Sequence, residues 1–310
     1  MSIGRLIRRR FFSTRQAREA VEFYIGISPW LIGFLLFTGG PILASFVLSF
    51  TEWRLLSPPK WVGLANYTEL LTKDKAARMA FYNTAYYTAF SVPLGIVVSL
   101  GVALLLNQKV RGANVFRTLF YLPTVTSGVA MALLWVWILN PEFGLINLAL
   151  SGLGIQGPAW LQDPAWAKPA LVLMSLWGIG TSIVIFLAGL QGVPEHLYDA
   201  AKIDGANQWH EFWQVTLPML TPTLFFVLIT SIIGSFQSFT NVYVMTKGGP
   251  GWSTLMVGLY IYNSAFEFLK MGYAASLSWI LFAVILALTL LQLLVARRWV
   301  YYEGEVRGKG

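Results

Sequence analysis

Side chains that could act as nucleophiles, proton carriers or metal ligands are scarce in this chain. Its 310 residues include no cysteine and two histidines. His196 and His210 are fourteen positions apart, with neither cysteines nor clustered carboxylates beside them, so their spacing is typical of surface histidines rather than of a zinc site. No hydrolytic constellation is present. We therefore predict no catalytic residue, no metal ion and no cofactor bound by this chain.

Both histidines lie in or beside a polar segment, 199–218, between two long apolar runs. It contains the carboxylates of Asp199 and Asp204, a glycine at position 205 and a terminal Leu217-Pro218. We expect a partner protein to dock on this segment. The residues alone leave a second interpretation open, in which it is a re-entry loop whose aromatic side chains lie on the lipid surface.

Two short helices are predicted here. Pro194 ends the preceding apolar run, and a helix over 195–201 has acidic residues near its positively polarised N-terminus. Gly205 fits a sharp turn, because glycine adopts positive φ without a steric penalty. A second helix over 208–217 is expected to end at Pro218. Its aromatic residues are Trp209, Phe212 and Trp213.

The composition indicates which elements position this segment. Hydrophobic residues make up 56% of the chain and charged residues 12%, with a mean hydropathy of +0.62. Because about a quarter of the residues in soluble domains are charged, we predict an all-α, polytopic membrane protein. The net charge of +8 does not indicate nucleic-acid binding, because the basic residues lie at the ends of apolar runs, as topology determinants do.

Six apolar runs are long enough to cross a bilayer core, which takes about 20 residues of helix. None contains Asp, Glu, Lys or Arg, and Trp and Tyr cluster at their margins as in an interfacial belt. The six predicted transmembrane helices cover 23–50, 79–106, 118–139, 169–192, 223–245 and 272–296. Together they form one transmembrane domain, 23–296, between an N-terminal segment 1–22 and a C-terminal tail 297–310.

The distribution of basic residues predicts the orientation. Of the 22 Lys and Arg residues, 14 lie on the side that holds both termini and the loop 193–222, so both termini and that loop are predicted to be cytoplasmic. Segment 252–270 is apolar but contains Asn263, Glu267 and Lys270, and we predict an outer-face interfacial or re-entrant helix there. The Gly- and Pro-rich loop 140–168 is predicted to form an ordered outer cap.

The chain lacks the groups that would power transport by itself. Proton-coupled transporters usually place a titratable side chain inside the membrane, and the six runs have none, although sodium could still bind backbone carbonyls. No GxxxxGK[ST] loop is present, so ATP is not hydrolysed by that route. A stand-alone channel or secondary transporter leaves the spacing within 199–218 unexplained. A membrane enzyme would need acid–base groups that the chain does not offer.

Uncharged polar residues among the apolar runs are candidates for a solute path. Hydroxyls and amides beside aromatic rings suit a neutral sugar. In the opposing interpretation, Ser and Thr bond backbone carbonyls or join helices. The absence of Lys and Arg from the runs argues against anionic cargo without excluding it. The candidates are Thr124, Gly128, Ser175, Gly178, Ser182, Ser235, Gln237, Ser238 and Asn241.

Residues 199–218 resemble the EAA loop of bacterial ABC importer permeases. That loop reads Glu-Ala-Ala, three residues, Gly, nine residues and Ile-x-Leu-Pro. This chain has Asp199-Ala200-Ala201, Gly205 and Val215-Thr216-Leu217-Pro218 at the same spacing, with Asp for Glu and Val for Ile. Further pieces resemble the carbohydrate-import subfamily of MalF type over essentially the whole chain: SFTEW at 49–53, VGLANY at 62–67, RGANVFRTLFYLP at 111–123, YDAAKIDGA at 198–206 and TKGGP at 246–250.

The resemblance implies a permease subunit of a sugar importer in the bacterial or archaeal cytoplasmic (inner) membrane. Its implied partners are a second, MalG-type permease, a dimer of ATPase subunits that binds ATP and Mg²⁺, and an external solute-binding protein. Glycerol-3-phosphate or a polyol is the alternative cargo.

The resemblance also assigns roles to residues. Positions matching Ser175, Gly178, Ser182, Ser235 and Ser238 line the sugar site of maltose-type permeases. The residues implied in coupling to the ATPase are Asp199, Ala200, Ala201, Asp204, Gly205, Phe212, Trp213, Leu217 and Pro218.

Overall fold

The computed structural model describes residues 15–108 and 112–301, with side chains from residue 18 onward. Within these ranges the chain is mostly helical, with one antiparallel ribbon of β1 (Thr51–Glu52) and β2 (Lys60–Trp61). The helices are α1 Arg15–Phe34, α2 Gly40–Leu48, α3 Ala65–Thr72, α4 Lys75–Asn107, α5 Ala113–Val125, α6 Gly128–Ile138, α7 Leu145–Gly152, α8 Pro164–Ser175, α9 Gly180–Gln191, α10 Glu195–Ile203, α11 Gln208–Glu211, α12 Leu217–Phe236, α13 Thr240–Met245, α14 Val257–Tyr262 and α15 Met271–Trp299.

Short turns of other helix types join several of these helices. They are π-turns at Leu35–Gly39, Phe212–Thr216 and Asn263–Glu267, and a 3₁₀ turn at Leu176–Gly178. Some residues used above to predict the orientation lie outside the described residues: Arg5, Arg8, Arg9, Arg10, Lys109, Arg111, Arg307 and Lys309.

Four continuous helices in the described ranges are long and apolar enough to cross a membrane. They are Arg18–Leu48, Lys75–Asn107, Gln208–Phe236 and Met271–Trp299. Two bent pairs bring the total to six if each pair forms one span, with bends of 101° between α5 and α6 and of 49° between α8 and α9. The predicted helical, multi-pass membrane fold is confirmed.

The third predicted span, 118–139, is divided. Thr126 and Ser127 have extended backbones, with ψ of 150° and 130°, so the helix stops and α6 restarts at a steep angle. Pro123 lies three residues before the break and donates no backbone hydrogen bond. The Thr126 hydroxyl donates to the Pro123 carbonyl at 2.7 Å, which satisfies a carbonyl near the broken end. Average hydropathy could not show this break, because the residues on both sides of it are apolar.

The prediction that Pro218 ends the second loop helix was wrong. The helix runs without interruption from Gln208 to Phe236, so α11, the π-turn and α12 form one rod of 29 residues. In the π-turn, the Leu217 N–H bonds the Phe212 carbonyl five residues back. This widened turn directly precedes Pro218, and such a local change of helix type lets a helix continue past a residue that disturbs its regular hydrogen bonds.

The core between the long helices forms where α4, α9 and α12 meet. Phe186 of α9 and Leu220 of α12 are fully buried there against Leu100 of α4. Glycine permits the close packing: a Cβ at position 189 would lie 2.7 Å from the Thr223 hydroxyl oxygen. The contact therefore favours a residue without a side chain.

Polar contacts order the region at the N-terminal end of α4. Asp74 caps α4 by accepting from the Ala77 N–H at 3.0 Å, and its other oxygen accepts from the hydroxyls of Tyr260 and Tyr273. Within the predicted outer cap, 140–168, the Trp160 indole donates to Asn147 at 2.7 Å. A helix over 257–267 occupies most of the segment predicted as an outer-face helix. Its position relative to a membrane stays a prediction.

The first apolar helix has few neighbours within the described part of the chain. None of the most apolar stretch of Arg18–Leu48 is buried. Its C-terminal part is held on α15, where the Trp279 indole donates to the Ser45 hydroxyl at 3.2 Å and the rings of Phe46 and Trp279 are 4.8 Å apart.

Candidate transport cavity and coupling loop

A cavity of about 440 Å³ lies between α4, α8, α9 and the end of α12. Its described wall carries hydroxyls, one amide and aromatic rings, and no charged side chain. Two interruptions of the helices help to form this cavity. They are the 3₁₀ turn after α8 and the non-helical residues 237–239 after α12, which direct side chains into the cavity that a continuous helix would direct elsewhere. The polar lining residues are Tyr87, Ser91, Ser175, Ser182, Ser231, Ser235, Ser238, Thr240 and Asn241.

The hydroxyl of Tyr87 is the centre of this polar wall. Tyr87 is only 8% exposed, and the hydroxyls of Ser91, Ser175 and Ser238 surround its own. Ser175 also donates to the Val172 carbonyl at 2.6 Å. A serine that donates to a helix carbonyl keeps its lone pairs, so it can still accept a hydrogen bond from a sugar hydroxyl. The two sequence-based interpretations of these serines are therefore compatible.

Six of the nine predicted path residues line this cavity, and three do not. Thr124 donates to the Tyr121 carbonyl at 2.6 Å and packs its methyl group toward Gly180. Gly128 faces Thr240, and Gln237 caps the exposed end of α12. As contacts for a solute all nine stay predictions. The six that line the cavity are Ser175, Gly178, Ser182, Ser235, Ser238 and Asn241.

The contribution of α4 to the cavity was missed from the sequence. Tyr87, Ser91 and Gly95 all line it. They are spaced by four residues, so they share one face of the helix. A stripe of polar and small residues in an otherwise apolar helix was the available signal.

The loop between α9 and α12 folds as two helices joined at Gly205. Gly205 has φ +79°, which confirms the predicted left-handed turn. Asn207 then caps α11 by accepting from the His210 N–H at 2.9 Å. A depression of about 440 Å³ lies between the two arms, lined by Leu197, Ala200, Ala201, Asp204, Gly205, Ala206, His210, Gln214 and Val215.

The second arm of the loop is anchored to the transmembrane core. Phe212 is half-buried against the cluster that contains Leu190 and Leu220. Trp209 and Trp213 remain 67% and 49% exposed, with ring centroids 5.5 Å apart. Exposed tryptophans beside a depression form a surface suited to a protein partner.

The structure places the nine predicted coupling residues in three groups. Asp199 is exposed, with a carboxylate oxygen 3.6 Å from the Lys202 ammonium. Phe212, Leu217 and Pro218 are half-buried at the junction with α12, and Trp213 is exposed. As contacts for an ATPase they stay predictions. The remaining four, Ala200, Ala201, Asp204 and Gly205, line the depression.

Two loop features were not predicted from the sequence. Ile203, at the end of α10, is 86% exposed, and the Tyr198 hydroxyl contacts that of Thr216. The described ranges contain no group of three or more His, Cys, Asp or Glu side chains that could hold a metal ion; the absence of a metal site at His196 and His210 stays a prediction.

Membrane-length helices, a cavity of neutral polar groups among them and a protruding polar loop define a multi-pass membrane transport subunit. Residues 91–301 match the family described as "Binding-protein-dependent transport system inner membrane component". The chain belongs to this family, which confirms the prediction of a transport subunit rather than an enzyme.

Individual relatives agree along most of the chain. The probable ABC transporter permease protein YesP of Bacillus subtilis (strain 168) is 41% identical over 286 residues, covering 91% of this chain and 92% of the relative. The lactose transport system permease protein LacF of Rhizobium radiobacter is 36% identical over 297 residues, covering 91% and 98%.

A solved structure supports the same fold. It is a bacterial alginate ABC transporter in complex with an alginate pentasaccharide-bound periplasmic protein. It superposes with a TM-score of 0.81 at 22% identity and covers 92% of this chain and 96% of the matched chain.

Proposed function

We propose that this chain is a permease subunit of an ATP-driven importer and forms part of the translocation path for a monosaccharide or oligosaccharide. The observation that carries this proposal is the neutral cavity between α4, α8, α9 and α12. Hydroxyls bond the hydroxyls of a sugar, and aromatic rings stack on its C–H faces. The relative LacF is named for lactose transport, which supports a sugar as cargo.

A separate ATPase dimer, which binds ATP and Mg²⁺, is proposed to dock on the loop of α10 and α11. The depression between the two arms and the exposed Ile203, Trp209 and Trp213 support this site. Binding of the ATPase shifts the conformation of the permease only if the ATPase has different affinities for two conformations of the permease.

The continuous helix Gln208–Phe236 supports a direct mechanical link. It begins in the proposed docking surface and ends at Phe236, next to Ser235, which lines the cavity. At 1.5 Å per residue the rod is about 44 Å long. Tilting one end by ATPase closure therefore displaces the cavity wall at the other end, which alternates access between the two sides.

A second, MalG-type permease subunit is proposed to cover the first helix. The unburied apolar side chains of the continuous helix Arg18–Leu48 include Ile25, Trp30 and Leu36 at 66%, 65% and 64% exposure. Lipid alone can solvate such a helix, but a half-open cavity and a helix that packs little on its own chain both fit a heterodimer. The external solute-binding protein is proposed to deliver sugar to the opposite face.

The importer is proposed to lie in the cytoplasmic (inner) membrane of a bacterium or archaeon, with both termini and the loop 193–222 in the cytoplasm. The excess of Lys and Arg on that side supports this orientation. Nucleic acid has no role in this proposal.

The test is co-purification of the chain with the second permease encoded by a neighbouring gene and with the candidate ATPase, followed by measurement of sugar uptake in proteoliposomes. We expect the ATPase to associate with wild type and to be lost from the double variant Asp199→Lys, Gly205→Asp. ATP-dependent uptake of a sugar supports the proposal. Uptake without any ATPase favours a stand-alone secondary transporter, and uptake restricted to glycerol-3-phosphate or a polyol favours the alternative cargo.

A further inference from the structure

Lys168 places a positive charge just beyond the walls of the cavity. It lies on α8, seven residues before Ser175, which is two turns or about 10 Å along the helix. Its Nζ is 3.3 Å from the Asn83 side-chain oxygen, and Asn83 lies one turn before Tyr87 on α4. Residues four and seven apart share a helix face, so Lys168 and Asn83 continue the two cavity-lining faces toward the predicted outer side.

No described carboxylate forms an ion pair with Lys168. The ammonium instead lies 4.9 Å from the ring centroid of Tyr82 and 4.8 Å from that of Tyr86. Each such contact stabilises a cation without neutralising it. The positive charge is therefore held in place and remains available to an anion.

Asn83 fixes the direction of this contact. It is fully buried, and its amide nitrogen donates to the carbonyls of Trp252 and Leu255 at 2.8 and 3.0 Å. With the nitrogen committed to that loop, the amide oxygen must point at Lys168. The contact engages one of the three ammonium donors, which leaves two for a ligand.

The chemistry of this arrangement favours a carboxylate over a phosphate. One ammonium matches the single charge of a carboxylate, whereas phosphate sites usually gather several donors, often from arginine. The tyrosine rings beside the ammonium add surfaces on which a sugar ring can stack. A carboxylate attached to a pyranose combines both features.

We propose that Lys168, flanked by Tyr82 and Tyr86, binds the carboxylate of a uronic-acid unit as an oligosaccharide enters the cavity. This inference rests on the proposed sugar-importer function and narrows its substrate class to carboxylated sugars. The neutral cavity then receives the hydroxylated part of the chain, while the lysine selects for the acidic group at the entrance.

The test is uptake by the complete importer in proteoliposomes, with saturating binding protein and three probes: digalacturonate, the neutral disaccharide galactobiose and galactose 1-phosphate. The variants are Lys168→Met, which removes the charge, Lys168→Gln, which keeps a donor for Asn83, and Lys168→Arg, which keeps the charge. Lys73→Met is the matched control, because Lys73 is an exposed lysine on the same predicted side at the end of α3. Since the binding protein is the same in every assay, differences in uptake among the variants arise from the permease.

We expect Lys168→Met and Lys168→Gln to lower digalacturonate uptake about tenfold, the size of a lost charged hydrogen bond, with galactobiose uptake within twofold of wild type. Lys168→Arg and Lys73→Met should retain digalacturonate uptake. Digalacturonate uptake by wild type should also weaken as salt screens the charge.

Several outcomes overturn the inference. Equal losses for both disaccharides assign Lys168 a purely structural role, and no loss for either removes it from the path. A selective loss of galactose 1-phosphate uptake replaces the carboxylate with a phosphate. Wild type that carries only galactobiose defeats this inference but leaves the proposed function intact. Wild type that carries none of the three probes but another sugar defeats this inference alone, and wild type that carries no sugar contradicts both.

Discussion

The hydroxyls of Tyr198 and Thr216 lie 3.0 Å apart and join the two arms of the loop between α9 and α12. Tyr198 belongs to α10, whereas Thr216 belongs to the π-turn that leads into α12 and also contacts the Glu211 carbonyl at 3.3 Å. The contact links α10, which is part of the proposed docking surface, to the continuous helix that reaches the cavity. It therefore lies on the route by which motion of one arm would reach the other.

The first prediction concerns this contact. Tyr198→Phe removes one hydroxyl and costs about 1 kcal/mol at the joint. We expect the ATPase to remain bound but more ATP to be hydrolysed per sugar imported, because the arms no longer move together. The measurement is the ratio of ATP hydrolysis to uptake in proteoliposomes.

Thr216→Val supplies the matched comparison for that prediction. If the two hydroxyls act as a pair, the double variant should be no worse than either single variant. Fully additive effects would assign the two residues separate roles.

The second prediction concerns the turn at Gly205. A Cβ there would meet no atom within 4 Å, but φ is +79°. Gly205→Ala should therefore cost about 1 kcal/mol through backbone strain alone and weaken retention of the ATPase during co-purification. Gly152→Ala is the control, since Gly152 also has open space and lies in α7 without positive φ. Equal behaviour of the two alanine variants would contradict a backbone requirement at Gly205.

The third prediction concerns occupation of the cavity. Gly178 lines it, and a side chain at this position would meet nothing within 4 Å of its Cβ. Gly178→Leu should leave folding and ATPase binding unchanged but lower sugar uptake at least about tenfold, because the leucine fills space that the solute needs. Gly101→Leu, an exposed position of α4 outside the cavity with equally open surroundings, should transport normally. Normal uptake by Gly178→Leu would place the solute path elsewhere.

The fourth prediction concerns Asp74. Burial tends to raise the pKa of this carboxyl, but hydrogen bonds from Tyr260, Tyr273 and the Ala77 N–H outweigh burial and hold its pKa below the usual value. Asp74→Asn should therefore destabilise the protein by about 2 kcal/mol at neutral pH, the cost of a lost charged acceptor. The measurement is the melting temperature of the purified complex.

The pH dependence follows from the direction of that pKa shift. A group whose pKa is lowered on folding stabilises the protein above its unfolded pKa, here about 4, and loses that contribution as pH falls through the folded pKa. The melting difference between wild type and Asp74→Asn should thus stay constant from pH 8 to pH 5 and shrink below about pH 4. A difference that disappears near pH 6 would contradict this assignment.

The sequence predicted which segments are apolar helices better than it predicted where helices bend. Hydropathy identified all six runs, because a run of about 20 apolar residues is favourable in a membrane whatever its local backbone geometry. It could not identify the break at Thr126 and Ser127, where local backbone geometry decides the outcome. The expectation that Pro218 ends a helix was also wrong. The π-turn of five residues before it changes the hydrogen-bond register that a proline would otherwise interrupt.

For the cavity, the type of a side chain was the most useful signal in the sequence. Ser175, Ser182 and Ser238 were identified because polar residues are rare in apolar runs. Tyr87 was missed, because tyrosine is common at membrane interfaces and its depth is set by tertiary packing. The contact between Lys168 and Asn83 joins residues 85 positions apart, and no pattern in a single sequence reports such a pairing.

The near-isolation of the first helix has a consequence for biogenesis. A newly inserted chain would present the side of Arg18–Leu48 to lipid and to quality-control proteases until the proposed second permease covers it. Its lifetime in the cell should then depend on synthesis alongside its partner, with excess copies degraded. Stoichiometry between the two permeases would be set after translation, by which molecules find a partner before they are removed.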